Sequence, residues 1–182
     1  AFVSTGSQHM NTLYRIACGT ALAALVSGCA HAPMTTTIGT QTPLMQPLPG
    51  LFTAGQPAAN DWALIKADGI RTVINLRAAG ELKDRNEAAE VKAAGLRYLE
   101  IPVVGGEGIN PANARLLHDA LAPKHGGGVL VHCASGNRAG ALLALEQKDF
   151  DGASAQSALE LGRKAGVTHI EPVLKKALGI GE

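Results

Sequence analysis

The chain has 182 residues, of which 46% are hydrophobic and 3% aromatic, and its formal net charge is +1 at pH 7. This length fits one domain of ordinary size with an extension, and the near-balance of charge excludes a strong electrostatic attraction to nucleic acid. Because aromatic residues are few, the core must be built from Ala, Leu, Val and Ile, which suits a sheet covered by helices.

The first 28 residues are predicted to lie outside the folded domain. Residues 1–9 precede Met10 and carry no hydrophobic pattern, so we interpret them as an expression scar. Residues 10–28 have the form of a signal peptide, with Arg15 followed by an apolar run over residues 16–26. This run is too short to span a bilayer as a helix.

The sequence Val26-Ser27-Gly28-Cys29 resembles the lipobox of bacterial lipoproteins. The resemblance implies lipidation of Cys29 and a periplasmic domain that is anchored to a membrane without spanning it. Ala30 replaces the Asp that retains lipoproteins at the inner membrane, which favours the outer membrane. A plain secretory signal cut elsewhere, or an N-terminal helix, is the alternative. Residues 29–50 are predicted to be a flexible tether, and residues 51–182 the domain.

Strands and helices alternate along the domain. The patterns predict strands over residues 51–54, 72–77, 97–103 and 129–132, and helices over residues 61–67, 81–94, 111–122, 138–148, 154–165 and 172–178. This alternation predicts an α/β fold with a mostly parallel central sheet of about four or five strands and helices on both faces. In such sheets ligands bind beyond the carboxyl ends of the strands.

A cysteine follows the last predicted strand and precedes a predicted helix. His132-Cys133 ends the strand, the loop Ala134-Ser135-Gly136-Asn137 follows, and Arg138 opens the helix. Backbone N–H groups at such a turn form an anion-binding cradle. A thiolate there is favoured by the helix N-terminus and by Arg138, whose planar fork suits a bidentate oxyanion. A lone cysteine at a strand end is more often a small buried hydrophobe, but the four residue types together favour oxyanion chemistry.

The segment HCASGNR resembles the HCxxGxxR signature of protein tyrosine and dual-specificity phosphatases. The resemblance implies that Cys133 attacks phosphorus, that Arg138 and the loop residues 134–137 bind the phosphoryl oxygens, and that His132 helps to maintain the thiolate. The loop of this chain is one residue shorter, because only Asn137 separates Gly136 from the arginine. Ala139 also replaces the hydroxyl residue that assists the leaving thiolate in that family, so breakdown of the intermediate is expected to be slow.

The shortened loop leaves two families open. Rhodanese sulfurtransferases use a cysteine loop of this length, whereas the segments at residues 52–57 (FTAGQP), 69–77 (GIRTVINLR) and 101–104 (IPVV) favour a nonclassical phosphatase. Their order resembles the bacterial dual-specificity-like phosphatase domain associated with beta-lactamase-like hydrolases, over about residues 48–178. By this resemblance and by their places near strand ends, Gln56, Asn75 and Arg77 are candidates for the pocket rim.

The general acid is harder to assign. The glycine-rich loop at residues 105–110 suits a mobile lid, and its single carboxyl group, on Glu107, is the candidate acid, with a solvated loop residue as the alternative. The charged residues of the helix predicted at residues 81–94 are interpreted as a solvated face, and His118 and His125 as surface residues. No Cys/His spacing resembles a zinc site.

The sequence therefore predicts a cysteine-dependent phosphatase that acts on a phosphorylated small molecule or a phosphoprotein, without metal or cofactor. A sulfurtransferase that carries a persulfide on Cys133 is the second hypothesis. A degenerate domain that binds phosphate-bearing ligands without turnover is the third. The sequence leaves the natural substrate and the oligomeric state open.

Overall fold

The structure is a computed structural model that describes residues 35–36, 40–122 and 126–181. The predicted expression scar, the signal segment and Cys29 lie outside these residues, as does His125, so those assignments stay predictions. Within the described residues, no helix combines the length and the apolar character that crossing a membrane requires.

One mixed sheet of six strands organises the domain. In chain order the strands are β1 (Thr35–Thr36), β2 (Leu44–Leu48), β3 (Leu51–Ala54), β4 (Ile70–Asn75), β5 (Arg97–Glu100) and β6 (Gly128–His132). Their spatial order is β1-β2-β3-β6-β4-β5. Strands β3, β6, β4 and β5 run parallel, whereas β1 and β2 pair antiparallel at one side. The predicted α/β fold with a mostly parallel sheet is confirmed.

Strand β2 corrects the predicted domain boundary. Residues 44–48 were assigned to a tether, but they pair with β3, and the side chain of Leu44 is fully buried. The buried carboxylate of Asp61 accepts hydrogen bonds from the backbone N–H groups of Gln41 and Thr42, at 2.9 and 3.2 Å. The folded part of the chain therefore includes residues ahead of Leu51.

Among the described residues, six helices cover the two faces of the sheet. They are α1 (Trp62–Ala67), α2 (Glu87–Ala93), α3 (Pro111–Leu121), α4 (Asn137–Phe150), α5 (Ala155–Lys164) and α6 (Glu171–Leu178). Consecutive strand residues point to opposite faces, so Ile74 and Val131 join the core beneath α3 to α6, while Val73 and Leu130 join the core beneath α1 and α2. Helix α4 is buried along most of its length, which fixes the residues at its N-terminus.

The helix predicted over residues 81–94 begins later than expected. The Asn86 side chain accepts a hydrogen bond from the backbone N–H of Ala89 and caps α2, so the helix covers Glu87–Ala93. The residues before this cap form a loop after β4. This correction matters for the site, because the loop carries Glu81 toward the cysteine segment.

Candidate active site

The Cys133 loop lies at the carboxyl end of the central strand of the parallel set. Strand β6 is flanked by β3 and β4, and His132 is in register with Ala54 on one side and Asn75 on the other. Cys133 is fully buried, and its Sγ atom accepts a hydrogen bond from the backbone N–H of Gly136 at 3.2 Å. The structure thus places the sulfur atom against an N–H group at the start of α4.

The segment after β3 forms one wall of this loop. The backbone N–H of Gln56 donates to the carbonyl oxygen of Ala134 at 3.1 Å. A Cβ atom on Gly55 would lie 3.3 Å from the same oxygen, a tight contact that favours glycine at this position. Gly136 has a φ of +86°, a left-handed conformation that L side chains rarely adopt. Two glycines therefore allow the loop to turn tightly against its neighbour.

The remaining loop residues differ in their surroundings. Ala134 and Ser135 are exposed, whereas Asn137 is buried. The Asn137 side-chain oxygen accepts a hydrogen bond from the backbone N–H of Thr168 at 2.8 Å. Asn137 thus ties the loop to the segment between α5 and α6, so its side chain serves the scaffold, and the exposed residues face the solvent side of the loop.

Arg138, in the first turn of α4, is held by two oxygen-bearing partners. Its Nη1 and Nη2 atoms donate to the two carboxylate oxygens of Glu81, at 2.7 and 2.6 Å, and Nη1 also donates to the carbonyl oxygen of Val103 at 2.8 Å. A guanidinium group has five N–H donors, and these bonds use three. The two remaining donors, on Nε and Nη2, form one edge of the fork and suit a bidentate oxyanion.

The pair is strongly ionised. The hydrogen bond from Arg138 lowers the pKa of Glu81 from 4.5 to about 2, although partial burial opposes this shift. The same bond with Glu81, together with the nearby Cys133, raises the pKa of Arg138 above its usual value. Glu81 is therefore a carboxylate at neutral pH and orients Arg138, and in this arrangement it is not a proton donor.

His132 is bound by a second acidic residue. Its Nε2 atom lies 2.8 Å from an Oε atom of Glu87, on α2, and both side chains are almost completely buried. Burial alone would raise the pKa of Glu87, but the hydrogen bond and charge of His132, together with Gln56 and Arg85, outweigh burial and place the pKa below its usual value. The Glu87 carboxylate is thus buried against the ring of the residue before the nucleophile.

The three predicted rim residues lie near these pairs. The Gln56 side chain donates to Glu87 at 2.6 Å and accepts from Nη1 of Arg77 at 2.5 Å. Arg77 in turn donates to the backbone oxygen of Glu81. Asn75 is buried, accepts from the backbone N–H of Arg77 at 2.8 Å and donates to the hydroxyl oxygen of Tyr98 at 2.9 Å. Gln56 and Arg77 therefore link the two acidic residues, and Asn75 orients the chain after β4.

Glu107, the candidate acid, is placed differently. It is exposed, and it lines a cavity of its own with Val173, Lys176 and Ala177. The described hydrogen bonds include none from its carboxyl group to the Cys133 loop, and the carboxylate that contacts Arg138 belongs to Glu81. The role of Glu107 stays a prediction.

Sequence reasoning missed Glu81 and Glu87 as site residues. Glu87 was interpreted as part of a solvated helix face, but it is 4% exposed. A histidine expected to be buried next to the nucleophile needs a polar partner, and that requirement is the signal that could have pointed to an acidic residue. His118, interpreted as a surface residue, is instead half-buried, and its Nδ1 atom lies 2.8 Å from the buried carboxylate of Glu146.

The fold and the loop define a phosphatase-like domain. Residues 47–149 match the family described as "Beta-lactamase hydrolase-like protein, phosphatase-like domain". The match covers more than half of the chain, so the chain belongs to this family. The resemblance predicted from the sequence is confirmed.

Two curated relatives carry the same name. The beta-lactamase hydrolase-like protein of Xylella fastidiosa (strain Temecula1 / ATCC 700964) is 38% identical over 101 residues, which are 53% of this chain and 23% of that protein. The protein of that name from Agrobacterium fabrum (strain C58 / ATCC 33970) is 34% identical over 114 residues, 60% of this chain and 26% of that protein. The matched segment thus spans about a quarter of the length of these relatives.

Solved structures show the same fold. A candidate phosphatase (DUF442) from Shewanella putrefaciens CN-32 matches with a TM-score of 0.56 and 29% identity, over 74% of this chain and 85% of that chain. TpbA of P. aeruginosa matches with a TM-score of 0.56 and 23% identity, over 76% of this chain and 84% of that chain. A variant of TpbA in complex with pTyr matches with a TM-score of 0.51 and 23% identity, over 85% of this chain and 100% of that chain.

Proposed function

We propose that this domain is a cysteine-dependent phosphatase that hydrolyses phosphate monoesters through a phosphocysteine on Cys133. The observation that carries the proposal is the arrangement of a nucleophile with two receptors for an oxyanion. The Cys133 sulfur lies 3.2 Å from the backbone nitrogen of Gly136, the N-cap residue of α4. Arg138 lies in the first turn of α4, and its described hydrogen bonds leave the edge formed by Nε and Nη2 for a ligand. Membership of the phosphatase-like family supports the same activity.

The reaction follows from these groups. The Cys133 thiolate attacks phosphorus, an S–P bond forms, the P–O bond to the leaving group breaks, and the leaving oxygen takes up a proton from solvent. Arg138 and the loop N–H groups stabilise the phosphoryl oxygens as charge shifts onto them. Water then attacks phosphorus and the S–P bond breaks, which releases inorganic phosphate with both protons of the water and restores the thiolate.

Glu81 acts on this reaction through Arg138. Its carboxylate occupies the end of the guanidinium fork formed by Nη1 and Nη2. The edge formed by Nε and Nη2 can therefore bind a phosphoryl group in a bidentate manner without displacing Glu81. We assign to Glu81 the role of orienting Arg138 before the substrate arrives.

The substrate class is a phosphate monoester of a small molecule or a protein. One similar structure, the TpbA variant, is a complex with pTyr. An aryl phosphate is therefore a suitable first probe for this chain.

The test is hydrolysis of an activated aryl phosphate under reducing conditions by the wild-type chain and by Cys133→Ser. We expect turnover by the wild-type chain and loss of at least about a thousandfold in the variant, since the nucleophile is removed. Ser157→Ala, which changes an exposed hydroxyl on α5 outside the Cys133 loop, is the control for folding and expression.

Two outcomes would contradict the phosphatase activity. A folded wild-type chain that binds vanadate without turnover would identify a phosphate-binding module. Sulfur transfer from thiosulfate to cyanide, with no phosphatase activity, would identify a sulfurtransferase, which the short loop favours.

We also propose that Cys29 carries a lipid anchor that holds the domain at a bacterial membrane facing the periplasm, with the outer membrane as its destination. The lipobox-like sequence supports this proposal. Expression of the full chain with and without Cys29→Ser, followed by metabolic labelling with a radioactive fatty acid, tests it. Label on the wild-type chain alone is expected, and equal absence of label from both chains would contradict the anchor.

A further inference from the structure

A buried acidic residue contacts the residue before the nucleophile and has no part in the reaction steps above. Glu87 contacts Nε2 of His132 at 2.8 Å, and their side chains are 3% and 0% exposed. Removing a carboxylate from water is costly unless a charged or hydrogen-bonded partner compensates. Such a contact indicates a specific task at this position, because an apolar pair would fill the same space at lower cost.

The contact orients the His132 ring. Glu87 is ionised, so the Nε2–H group of the ring donates and the carboxylate accepts. The other ring nitrogen, Nδ1, is buried and has no hydrogen-bond partner among the described residues. Glu87 therefore provides the polar contact that fixes the rotation and the protonated nitrogen of this ring, while the Trp62 ring lies 6.3 Å away as an apolar neighbour.

The contact also belongs to a chain of side chains that spans the Cys133 loop. Glu87 is bound by Gln56, Gln56 by Arg77, and Arg77 by the backbone oxygen of Glu81. The Glu81 carboxylate then binds Arg138. The residue before the nucleophile and the arginine after it are thus tied into one network, which passes through the GQP and INLR segments.

We propose that Glu87 is a positioning residue that acts through His132 to hold the Cys133 loop in place and to favour the thiolate of Cys133; its consequence for turnover rests on the phosphatase function proposed above. In general, an ionised carboxylate next to an imidazole favours the charged form of the ring over the neutral form. This ring belongs to the residue adjacent to Cys133, and a neighbouring positive charge favours a thiolate.

Other charged or titratable groups lie near the pair or the thiol, or bind Gln56 next to the pair, and must stay unchanged in the experiment. They come from four separate elements of the fold: Arg85 in the loop before α2, Arg77 after β4, Tyr98 on β5 and Arg138 on α4. Substitutions at Glu87 alone therefore isolate its contribution.

The experiment measures the thiolate directly. The full chain is alkylated with iodoacetamide across a pH series, and modification of the Cys133 peptide is quantified by mass spectrometry, which separates it from Cys18 and Cys29. In Glu87→Gln we expect the midpoint of the pH dependence to rise by about one unit, and the alkylation rate below the midpoint to fall about tenfold. An unchanged midpoint in a folded Glu87→Gln variant would overturn the proposal.

Glu90→Gln is the matched control. Glu90 lies one turn further along α2, and its carboxylate binds Arg85 and Trp62 rather than His132. This variant removes an equal charge from the same helix and should leave the midpoint within about 0.3 units of wild type. A shift as large as that of Glu87→Gln would assign the effect to the charge of the helix and overturn a role through His132.

Two further variants keep the test decisive. Glu87→Asp preserves the charge, but its shorter side chain moves the carboxylate away from Nε2. This variant should fold, and its midpoint should rise by less than that of Glu87→Gln. His132→Asn should remove the sensitivity to Glu87, so that adding Glu87→Gln to it causes no further shift. Additive shifts would contradict action through His132.

The alkylation experiment separates the role of Glu87 from the phosphatase activity. Alkylation reports the thiolate whether or not the chain hydrolyses phosphate. If the wild-type chain fails to turn over an aryl phosphate while Glu87→Gln shifts the midpoint, the phosphatase proposal fails and the role of Glu87 stands.

Discussion

At the residue scale, the site depends on how Arg138 divides its donors. Glu81 and the carbonyl oxygen of Val103 take three of the N–H groups, and the edge formed by Nε and Nη2 is left for a ligand. A long side chain with several rotatable bonds loses conformational entropy when it binds an oxyanion, and this loss weakens binding unless the side chain is already ordered. The ionised Glu81 provides this order.

Glu81→Gln is expected to lower kcat/KM for an aryl phosphate about tenfold. The neutral amide retains the shape of the side chain but loses the charge-assisted bidentate bond that orients Arg138. Steady-state kinetics would measure the change, and Glu100→Gln, at the end of β5, serves as a control. An increase in affinity for phosphate in Glu81→Gln would contradict the assignment, because it would show that Glu81 blocks the arginine.

The same carboxylate makes a pH-dependent contribution to folding. Its pKa falls from 4.5 to about 2 on folding, so the folded state binds fewer protons than the unfolded state between these values. The stabilisation is therefore fully present above about pH 4.5 and is lost as the pH falls toward 2. Urea unfolding of wild type and Glu81→Gln should show a difference that narrows over this window, and a constant difference would contradict the shift.

Several site residues could be predicted from the sequence, and others could not. His132, Cys133, Gly136 and Arg138 lie within seven consecutive positions, so their proximity follows from the chain itself. Glu81 and Glu87 are distant in sequence, and a glutamate on a solvated helix face looks the same in the sequence as one that turns inward. Only the packing of α2 against β6 separates these two cases.

At the element scale, α4 is the support for the Cys133 loop. Its buried face packs on α5 at a close approach, where a Cβ atom on Gly140 would lie 2.8 Å from the backbone oxygen of Ala165. The first turn of α4, which carries Arg138, therefore depends on a contact that admits only glycine.

Gly140→Ala is expected to destabilise the domain by about 1–3 kcal/mol, because backbone atoms of α5 must move, although alanine is the better helix former. Chemical denaturation monitored by circular dichroism would measure the change. Gly181→Ala is the control, since its added Cβ would meet nothing within 4 Å. Equal stability of both variants and wild type would contradict the close packing.

Elements with clear periodicity were predicted well. The predicted first residues of the four parallel strands lie within two residues of the observed ones. For the helices α3 to α6, both ends agree within two residues. Strand β2 was missed because it is short, follows a segment rich in Thr, Pro and Gln, and contains Pro47, which cannot donate to a ladder. In the structure, the pairing of β2 with β3 is irregular between Met45 and Leu48, and this irregularity accommodates the proline.

At the scale of the whole molecule, the domain extends ahead of the first predicted strand. Leu44 is buried in the core with Phe52 and Trp62, and Asp61 binds the N–H groups of the segment before β2. Residues 40–50 thus supply the strand that pairs with β3, and β3 in turn pairs with β6, the strand that leads to Cys133.

A chain that begins at Thr40 should therefore fold, whereas a chain that begins at Leu51 should be less stable than it by several kcal/mol or remain unfolded. The shorter chain exposes core side chains, leaves β3 unpaired on one edge and leaves the Asp61 carboxylate with fewer donors. Thermal unfolding of both chains would measure this difference. Equal melting temperatures would show that β2 is dispensable.

The most direct measurement of the central claim is to trap the covalent intermediate. The chain would be mixed with an excess of an aryl phosphate, quenched in acid within the first turnovers and analysed by peptide mass spectrometry. Because Ala139 offers no hydroxyl group to assist the departing thiolate, we expect the phosphocysteine to accumulate and to appear on the Cys133 peptide. A chain that releases phosphate steadily while this peptide stays unmodified, or that carries the phosphoryl group on another residue, would contradict the account.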